Sequence, residues 1–585
     1  MSEEKSYMDF AQNYFQLLVE YPNVLNNYWN NSVANLDNSY FNNGSDVQEL
    51  LSQAFNKPGM LVDYHQQWLD NFWSIMANIN SKAQGMAAND LFSPQEKDSR
   101  FKDETWTNNP FFDMIKQCYF MTSELAKKYI DELEEIDHKN KAKLLFFIRQ
   151  FLDSSAPTNF LFTNPVVIRE TVQSNAQNLL KGLQKFSEDV QQNIDVFHIK
   201  TVDDSAFKVG ENIATTKGKV IFRNSLLELI AYYPEESQKV YTTPIFVVPP
   251  FINKFYIFDL QPKNSFVQWL KQNNHMVFLV SWLNPDETHK DIDFEDYVKY
   301  LIEAIEFVNN FSNSKVNLCS YCIGGTLTAV TASYLKKQQK DLINSIVFIT
   351  TLLDFNNSGE IGLFVDEEQI EKIETKMASS GYFDSKDMSM TFNLLRANDM
   401  IWGNYVNSYL LGREPIAMDL LYWNYDSTRL PYKMHSFYLR NMYLNNNVCK
   451  KDHLTINNVA IDISKLDFDC YFLATKEDHI APAIGVYDGI KYLSGKVRFV
   501  LSESGHVAGV INPSNKNKYG YFVNNNLKGS FDDWYGKAEF HQKSWWHDVV
   551  SWLSERSGKQ DLTISSKRID EQGICDAPGT YVMVK

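Results

Sequence analysis

A strand, a tight turn and the start of a helix are predicted by residues 316–327, VNLCSYCIGGTL. Cys322 lies at the apex of the turn. Ser320 and Gly324, two residues before and two after it, are small enough to let the chain turn sharply from strand to helix. The N-terminus of the following helix favours a thiolate and presents free N–H groups to an oxyanion. The stretch therefore has the form of a nucleophile elbow, with Cys322 as candidate nucleophile.

Three plainer interpretations of this stretch stay open at this point. Most cysteines are inert small hydrophobic residues. Cys319 and Cys322 form a C-x-x-C pair, which before a helix is also typical of a redox motif or of half a metal site. The sequence has no second such pair, and at 585 residues it is far larger than a thioredoxin-like unit. Finally, short glycine-containing turns between strand and helix are common, so the elbow needs partners further along the chain.

Length, charge and cysteine usage narrow the class of protein. At 585 residues and 67.9 kDa the chain exceeds one ordinary core, so two or more domains are expected. A net charge of −16 argues against a nucleic-acid binder, because phosphate backbones require clustered Lys and Arg. The N-terminus lacks the features of a signal peptide, and no apolar run could span a bilayer. A cytoplasmic protein with reduced thiols and no transmembrane segment is expected.

The hydrophobic pattern divides the chain near residue 200. Residues 1–200 predict a mostly α-helical N-terminal domain. Residues 201–585 alternate apolar strands with helices, which predicts a parallel α/β sheet with right-handed connections. The predicted N-terminal helices begin at Pro110 and cover Lys143–Leu152 and Glu170–Val190, and the predicted strands and helices that follow are Lys219–Arg223, Leu226–Tyr232, Pro244–Val248, Ser265–Gln272, His275–Val280, Phe294–Phe311, Ser345–Thr350, Cys470–Ala474 and Val497–Leu501.

The alternation of strands and helices stops between about residues 355 and 447. This stretch is long, helical in pattern and rich in aromatic residues. An insertion of such length between two sheet strands is typical of a lid over the pocket at the C-terminal ends of the strands. We therefore expect residues 355–447 to cover the site.

Polar loops follow the last two predicted strands. Asp478 and His479 lie in the first loop, and His506 lies in the second. Nucleophile, acid and histidine in this order, each after a successive strand, form the α/β-hydrolase arrangement. We predict an α/β-hydrolase fold with a helical lid, and Cys322, Asp478 and His506 as its catalytic residues. Adjacent residues do not easily both point at one thiol, so His479 is assigned a supporting hydrogen bond.

Several longer motifs resemble the poly(3-hydroxyalkanoate) synthases, most closely the class I enzymes that polymerise short-chain 3-hydroxyacyl-CoA. The family's lipase-like box begins with glycine where this chain has Ser320, whose small side chain is expected to give a slightly different but working elbow. The likeness is continuous from about Asn109 to Val582. Its motifs are Val248–Lys254, Phe278–Trp282, Thr350–Phe355, Phe392–Asp399, Ser504–Pro513 and Ala577–Val582.

The resemblance implies that Cys322 is acylated by the substrate, with His506 as general base and Asp478 as its partner. A thiolate attacks a CoA thioester readily, and the enzyme thioester stays activated for the next transfer. By analogy with α/β-hydrolases, the backbone N–H groups of Ile323 and Ile252 would hold the oxyanion. No metal and no cofactor are implied, since CoA is a leaving group of the substrate.

The resemblance further implies a cytoplasmic homodimer at the surface of polyester granules, in contact with the growing polymer and beside phasins. The lid is expected to keep water from the acyl group. Arg396 and Arg440 are candidate contacts for CoA phosphates or for structural carboxylates, and we favour the structural role. Two rival functions are a thioesterase or lipase on the same scaffold, and a granule-surface scaffold protein whose triad is idle.

Overall fold

The computed structural model describes residues 44–94, 98–191, 199, 201–233, 239–516, 518–561 and 566–585. The described residues fall into two compact units. Unit 1 comprises residues up to Thr201 together with Met390–Ile416, and unit 2 comprises Val202–Ser389 and Ala417–Lys585. Residues 1–43, part of the predicted N-terminal domain, lie outside the described residues. The predicted limits of the two domains stay a prediction.

Unit 1 is helical, as its sequence pattern predicts. The predicted helix at Pro110 begins there because the Asn109 side chain accepts a hydrogen bond from the Phe111 N–H and proline suits the first helical position. Its helices are α1 Gly44–Phe55, α2 Pro58–Ala83, α3 Pro110–Asp131, α4 His138–Ser154, α5 Pro165–Gln173 and α6 Gln177–Gln191. The predicted helix Lys143–Leu152 lies within α4 and is confirmed.

The prediction of one helix over Glu170–Val190 is wrong. Helix α5 ends at Gln173 and α6 begins at Gln177. Between them Asn175 and Ala176 have φ angles of 52° and 63°, which a right-handed helix does not contain. The apolar period is the same on both sides of this break, so the pattern alone does not reveal it.

Residues 390–416, which the sequence places in the insertion, have their contacts within unit 1. Arg100 Nη1 donates to Asn398 Oδ1 at 2.6 Å, and Asn178 Nδ2 donates to the Leu410 carbonyl at 2.8 Å. A Cβ atom on Gly182 of α6 would lie 1.8 Å from the Tyr409 carbonyl oxygen, so this approach of the two backbones requires glycine. The 355–447 insertion is therefore divided between the two units.

The described part of unit 2 is built on one mixed sheet of eleven strands. In chain order they are β1 Lys219–Arg223, β2 Leu227–Tyr232, β3 Ile245–Val248, β4 Val277–Trp282, β5 Val316–Tyr321, β6 Ile343–Ile349, β7 Asp469–Thr475, β8 Val497–Ser502, β9 Tyr521–Val523, β10 Glu539–His541 and β11 Cys575–Asp576.

The order of these strands across the sheet is β10-β9-β8-β7-β6-β5-β3-β4-β2-β1-β11. The six neighbouring strands β4, β3, β5, β6, β7 and β8 are parallel, and the strands at both edges are antiparallel.

The eight strands β1 to β8 confirm the predicted strands within two residues at each end. The parallel strands are buried on both faces, as in Ile245–Val248, and such strands have nearly continuous apolar sequences. Helices lie between successive parallel strands along the chain. The result is the α/β-hydrolase fold that the sequence predicts, with the C-terminal ends of β3, β5, β7 and β8 at one edge.

The remaining helices lie between and after the strands of the sheet. Four of them lie between β6 and β7, together with the three-residue helix Gly403–Tyr405, in the insertion that the sequence predicts to be helical. They are α7 Phe266–Gln272, α8 Phe294–Ser312, α9 Ile323–Lys337, α10 Glu367–Ser380, α11 Ser385–Leu395, α12 Asp419–Tyr425, α13 Tyr432–Tyr438, α14 Ala483–Ile490, α15 Phe531–Tyr535, α16 Trp545–Ser554 and α17 Ser566–Gln572. In the described part of the chain, none of the helices combines the length and apolar character that a membrane span requires.

Candidate active site

Cys322 is the single residue between strand β5 and helix α9. Its φ and ψ angles are 54° and −126°, a conformation that residues with a Cβ atom rarely adopt. The Cys322 N–H donates to the Ile349 carbonyl at 2.9 Å, and the Gly325 N–H donates to the Cys322 carbonyl at 2.8 Å. Neighbouring elements therefore hold this turn in a strained conformation, and the predicted sharp turn is confirmed.

Small residues on both sides of Cys322 allow the turn to pack closely. A Cβ atom on Gly324 would lie 2.6 Å from the Pro249 carbonyl oxygen, so the loop after β3 lies directly against the start of α9. Ser320 takes the position where the resembling family has glycine. Its hydroxyl donates to the Val347 carbonyl at 3.0 Å, which satisfies the polar group inside the sheet. The serine therefore fits the elbow without distorting it.

Asp478 lies in the loop after β7, and its side chain is fully buried. One carboxylate oxygen accepts hydrogen bonds from the N–H groups of Ile480 at 2.9 Å and Ala481 at 2.8 Å. The other accepts one from the Thr475 hydroxyl at 3.2 Å. A carboxylate held by this many donors keeps a fixed orientation.

His506 lies in the loop after β8 and pairs with Asp478. Its Nδ1 is 2.7 Å from Asp478 Oδ2. Burial lowers the pKa of His506, but the charges of Asp478 and Cys322 and hydrogen bonds to both outweigh this effect and raise the pKa to about 10. Because Nδ1 faces Asp478, Nε2 is left for the sulfur. The structure thus brings the three predicted residues, Cys322, Asp478 and His506, into one site.

Tyr321 supports this site and was not singled out from the sequence. Its ring stacks on the His506 imidazole with 5.3 Å between the centroids, and its hydroxyl donates to the His506 carbonyl at 3.1 Å. Thr475, which binds Asp478, was missed as well. Both residues end buried strands, where the sequence pattern indicates burial but not hydrogen-bond partners.

The structure does not bring His479 into this group. Its side chain is exposed, and within the described residues its imidazole has no hydrogen-bond partner. The described residues therefore contain no hydrogen bond of the kind that the sequence assigned to His479. Asp478 is held instead by Thr475 and by backbone N–H groups.

The two predicted oxyanion donors lie on the elements that meet at the elbow. Ile323 is the first residue of α9, and the first N–H groups of a helix have no partner within it. Ile252 lies in the loop after β3, where its carbonyl accepts the Thr428 N–H at 3.2 Å. The direction of the Ile252 N–H toward a bound substrate stays a prediction.

Two aromatic residues from the unit 2 part of the insertion, Tyr438 and Tyr443, lie near the sulfur of Cys322. Burial raises the pKa of Tyr438 and Tyr443, and the charge of the nearby Cys322 raises both further. Phe355 packs edge-on against Tyr443 at 5.0 Å and against Tyr438 at 6.0 Å. Aromatic rings of the insertion therefore lie near the Cys322 sulfur.

Carboxylates hold both of the arginines considered for CoA phosphates. Arg440 contacts both oxygens of Glu374 at 2.8 Å and also pairs with Glu367. Arg396 contacts Asp399 at 2.5 Å. Both side chains therefore have the carboxylate partners that the structural role favoured from the sequence requires.

Comparison with known proteins agrees with this geometry. The family model described as the N-terminus of poly-beta-hydroxybutyrate polymerase (PhaC) matches residues 97–270, and the model of the alpha/beta hydrolase fold matches residues 253–513. The chain is 41% identical over 522 residues to the poly(3-hydroxyalkanoate) polymerase of Methylorubrum extorquens, which covers 88% of this chain and 85% of that protein.

Two further relatives cover the chain to the same extent. The poly(3-hydroxyalkanoate) polymerase subunit PhaC of Rhizobium meliloti is 39% identical, with 92% of this chain and 89% of that protein covered. The subunit PhaC of Cupriavidus necator is 35% identical, with 90% and 89% covered. The chain therefore belongs to the poly(3-hydroxyalkanoate) polymerase family.

Proposed function

We propose that this protein is a class I polymerase that transfers (R)-3-hydroxyacyl groups from CoA to a growing polyester. Its main substrate is 3-hydroxybutyryl-CoA. The observation that supports this most is a cysteine at a strained strand-to-helix turn beside a buried His506–Asp478 pair with 2.7 Å between Nδ1 and Oδ2. The names of its relatives support the polymer and, through it, the acyl-CoA substrate.

Acylation is the first step of the proposed mechanism. The Cys322 thiolate attacks the thioester carbonyl, and its electron pair forms the new C–S bond. The tetrahedral oxyanion takes hydrogen bonds from the N–H groups of Ile323 and Ile252. The C–S bond to CoA then breaks, and the CoA thiolate takes the proton of the His506 imidazolium. Cys322 is left as a thioester and His506 as a neutral imidazole.

Chain growth is the second step. The 3-hydroxyl of an acyl unit gives its proton to His506 Nε2 while its oxygen attacks the carbonyl carbon of the neighbouring thioester. The ester C–O bond forms, the thioester C–S bond breaks, and the sulfur leaves as a thiolate beside the His506 imidazolium. Acylation keeps the imidazole neutral and so available for this proton, because the Cys322 charge is one of the causes that raise the pKa of His506. An uncharged thioester removes that cause, so the pKa of His506 falls. Asp478 keeps the ring oriented through Nδ1.

The aromatic insertion decides which acceptor reacts. Water would release a free hydroxy acid, so a polymerase must keep its acyl group dry. Burial of Tyr438 and Tyr443 beside Cys322 supports such exclusion. The rival thioesterase or lipase would differ from the polymerase in this acceptor only.

Product analysis tests the proposed function. Purified protein is supplied with 3-hydroxybutyryl-CoA while CoA release, insoluble polyester and free hydroxy acid are measured together. We expect polyester from the wild type and a loss of at least about 10⁴-fold in CoA release for Cys322→Ala. Soluble acid as the main product would favour the hydrolase, and unchanged polymer yield from Cys322→Ala would favour the scaffold protein.

The proposed function includes a cytoplasmic homodimer at the surface of polyester granules, beside phasins. Sedimentation of the purified protein at several concentrations tests the dimer. Fractionation of polymer-producing cells tests the location, with recovery in the granule fraction as the expected result. A protein that stays monomeric and in the soluble fraction would contradict both parts.

A further inference from the structure

Lys254 is a buried lysine that the mechanism above does not use. It is 5% exposed and lies in the loop after β3, two residues after Ile252. Its ammonium contacts the Val582 carbonyl at 2.7 Å, the Val584 carbonyl at 3.0 Å and Asp426 Oδ1 at 3.1 Å. A buried ammonium is stable when its charge and all three N–H groups are matched in this way.

The insertion holds the backbone of the same loop from the other side. The carbonyls of Phe251 and Ile252 accept hydrogen bonds from the hydroxyl and the N–H of Thr428, at 2.8 Å and 3.2 Å. The Lys254 carbonyl accepts one from Trp423 Nε1 at 2.6 Å. These bonds fix the carbonyls of the loop, and the side chain of Lys254 joins the loop to the C-terminal residues by hydrogen bonds.

The C-terminal residues 580–585, here called the tail, are themselves anchored to the sheet. The N–H groups of Thr580 and Tyr581 donate to the buried carboxylate of Glu228 at 2.9 Å and 3.0 Å. Arg429 Nη2 donates to the Lys585 carbonyl at 2.8 Å. The tail therefore has a fixed position, in which its carbonyls bind the ammonium of Lys254.

We infer that Lys254 is a positioning residue, which braces the loop after β3 against the tail so that the Ile252 N–H stays directed at the developing oxyanion. This inference depends on the proposed function, because Ile252 acts only in the acyl-transfer step. Loss of one oxyanion donor slows catalysis by about 10²- to 10³-fold. Without the Lys254 side chain the Ile252 N–H is displaced but still present. Loss of Lys254 should therefore slow acylation less than loss of the donor itself.

Two reactions of the same sulfur separate positioning from folding. Acylation of Cys322 by 3-hydroxybutyryl-CoA passes through a tetrahedral oxyanion, whereas alkylation by iodoacetamide does not. Both need a folded site and a reactive sulfur. For Lys254→Met we expect first-turnover CoA release to slow by about 10- to 100-fold, with the alkylation rate within about twofold of the wild type.

Removal of residues 582–585 tests the other side of the contact, because it takes away both carbonyls that bind the Lys254 ammonium and keeps the bonds of Thr580 and Tyr581 to Glu228. It should slow acylation to the same extent as Lys254→Met. Both changes break the same contact, between the Lys254 ammonium and the carbonyls of the tail. The combined variant should therefore be no slower than either single variant. Lys336→Met is the matched control, since this lysine forms an exposed ion pair with Asp467 at 2.5 Å and should leave both reactions unchanged.

The outcomes separate this inference from the proposed function. A wild-type protein that releases no CoA would remove the proposed function and the inference with it. Normal acylation of the wild type together with equally fast acylation of Lys254→Met would overturn the inference alone. An equal fall of acylation and alkylation in both variants would also overturn it, because Lys254 would then serve the fold only.

Discussion

Two groups of charges that lie partly or fully buried, one in each unit, have opposite arrangements. In unit 1, Lys82 and Lys116 each contact both Asp90 and Asp113, with Lys116 Nζ at 2.7 Å and 3.1 Å from the two carboxylates. Two positive and two negative charges therefore satisfy one another. In unit 2, Asp478 binds one nitrogen of His506 and leaves the second nitrogen for a sulfur.

The difference between the two groups shows how burial serves stability in one place and chemistry in the other. In the unit 1 group every charge has two partners, so nothing is left to react with a ligand. The Asp478–His506 pair holds one donor position open beside Cys322. We therefore expect changes in unit 1 to lower stability and changes in unit 2 to lower activity. The following predictions test this contrast in order of decreasing effect.

The largest effect is expected for Asp478→Asn. The amide keeps the size of the side chain but can donate to His506 Nδ1, which favours the wrong tautomer. First-turnover CoA release should fall by about 10⁴-fold. A variant with more than a tenth of the wild-type rate would break the contrast between the two groups.

The pH dependence of the free energy of unfolding tests the charge interaction between His506 and Asp478. The folded protein raises the pKa of His506 from 6.5 to about 10, since the charges of Asp478 and Cys322 outweigh burial. The stabilisation is fully present below pH 6.5 and is lost as the pH rises toward 10. The stability difference between wild type and Asp478→Asn should therefore shrink over this interval in urea unfolding experiments. A difference that grows with pH would contradict the assignment.

Lys116→Met tests the group in unit 1. The side chain of Lys116 is 3% exposed, and its removal leaves Asp90 and Asp113 with one partner fewer in a buried site. We expect a loss of about 3 to 5 kcal/mol in the free energy of unfolding, with normal CoA release per folded molecule. Lys57→Met is the matched control, because Lys57 pairs with an exposed glutamate. Equal losses for both variants would argue against a stabilising role of the buried group.

The strands could be predicted from the sequence because burial makes them apolar. The loops that hold Asp478 and His506 could be located because they follow those strands. Parallel strands such as Ile245–Val248 are buried on both faces and are therefore apolar throughout. Asp478 and His506 follow such strands directly. The edge strands Tyr521–Val523 and Glu539–His541 have three residues each and are partly exposed, so no periodic pattern marks them.

Contacts between distant residues could not be predicted. Nothing in the loop around Lys254 indicates that its ammonium meets a carbonyl 328 positions later in the chain. The stacking of Tyr321 on His506 depends likewise on how two strand ends meet. The break at Asn175 and Ala176 is a local backbone feature, but neither residue type requires it.

Cys322→Gly should show a smaller effect, on stability. The φ angle of 54° at this position is unfavourable for any residue with a Cβ atom, and glycine relieves that strain. Compared with Cys322→Ala, the glycine variant should be more stable by about 1 kcal/mol in urea unfolding. Both variants should be inactive. A glycine variant less stable than the alanine variant would show that the turn is not strained.

The smallest effect is expected for His479→Ala. This side chain is exposed and lies beside Asp478 in sequence, so it is a close control for His506. CoA release should stay within about twofold of the wild type, because exposed side chains without partners contribute little. His506→Ala measured in parallel should lose nearly all activity. Similar losses for both variants would reverse the assignment of the base.

The central claim is that Cys322 carries the acyl group during polymerisation. The most direct measurement mixes the protein with 3-hydroxybutyryl-CoA, stops the reaction within the first turnover and determines by mass spectrometry which peptide carries the acyl mass. The account predicts a hydroxybutyryl thioester on Cys322, absent from Cys322→Ala and slow to form in Asp478→Asn. An acyl group on another residue, or polymer made with no acylated protein, would contradict it.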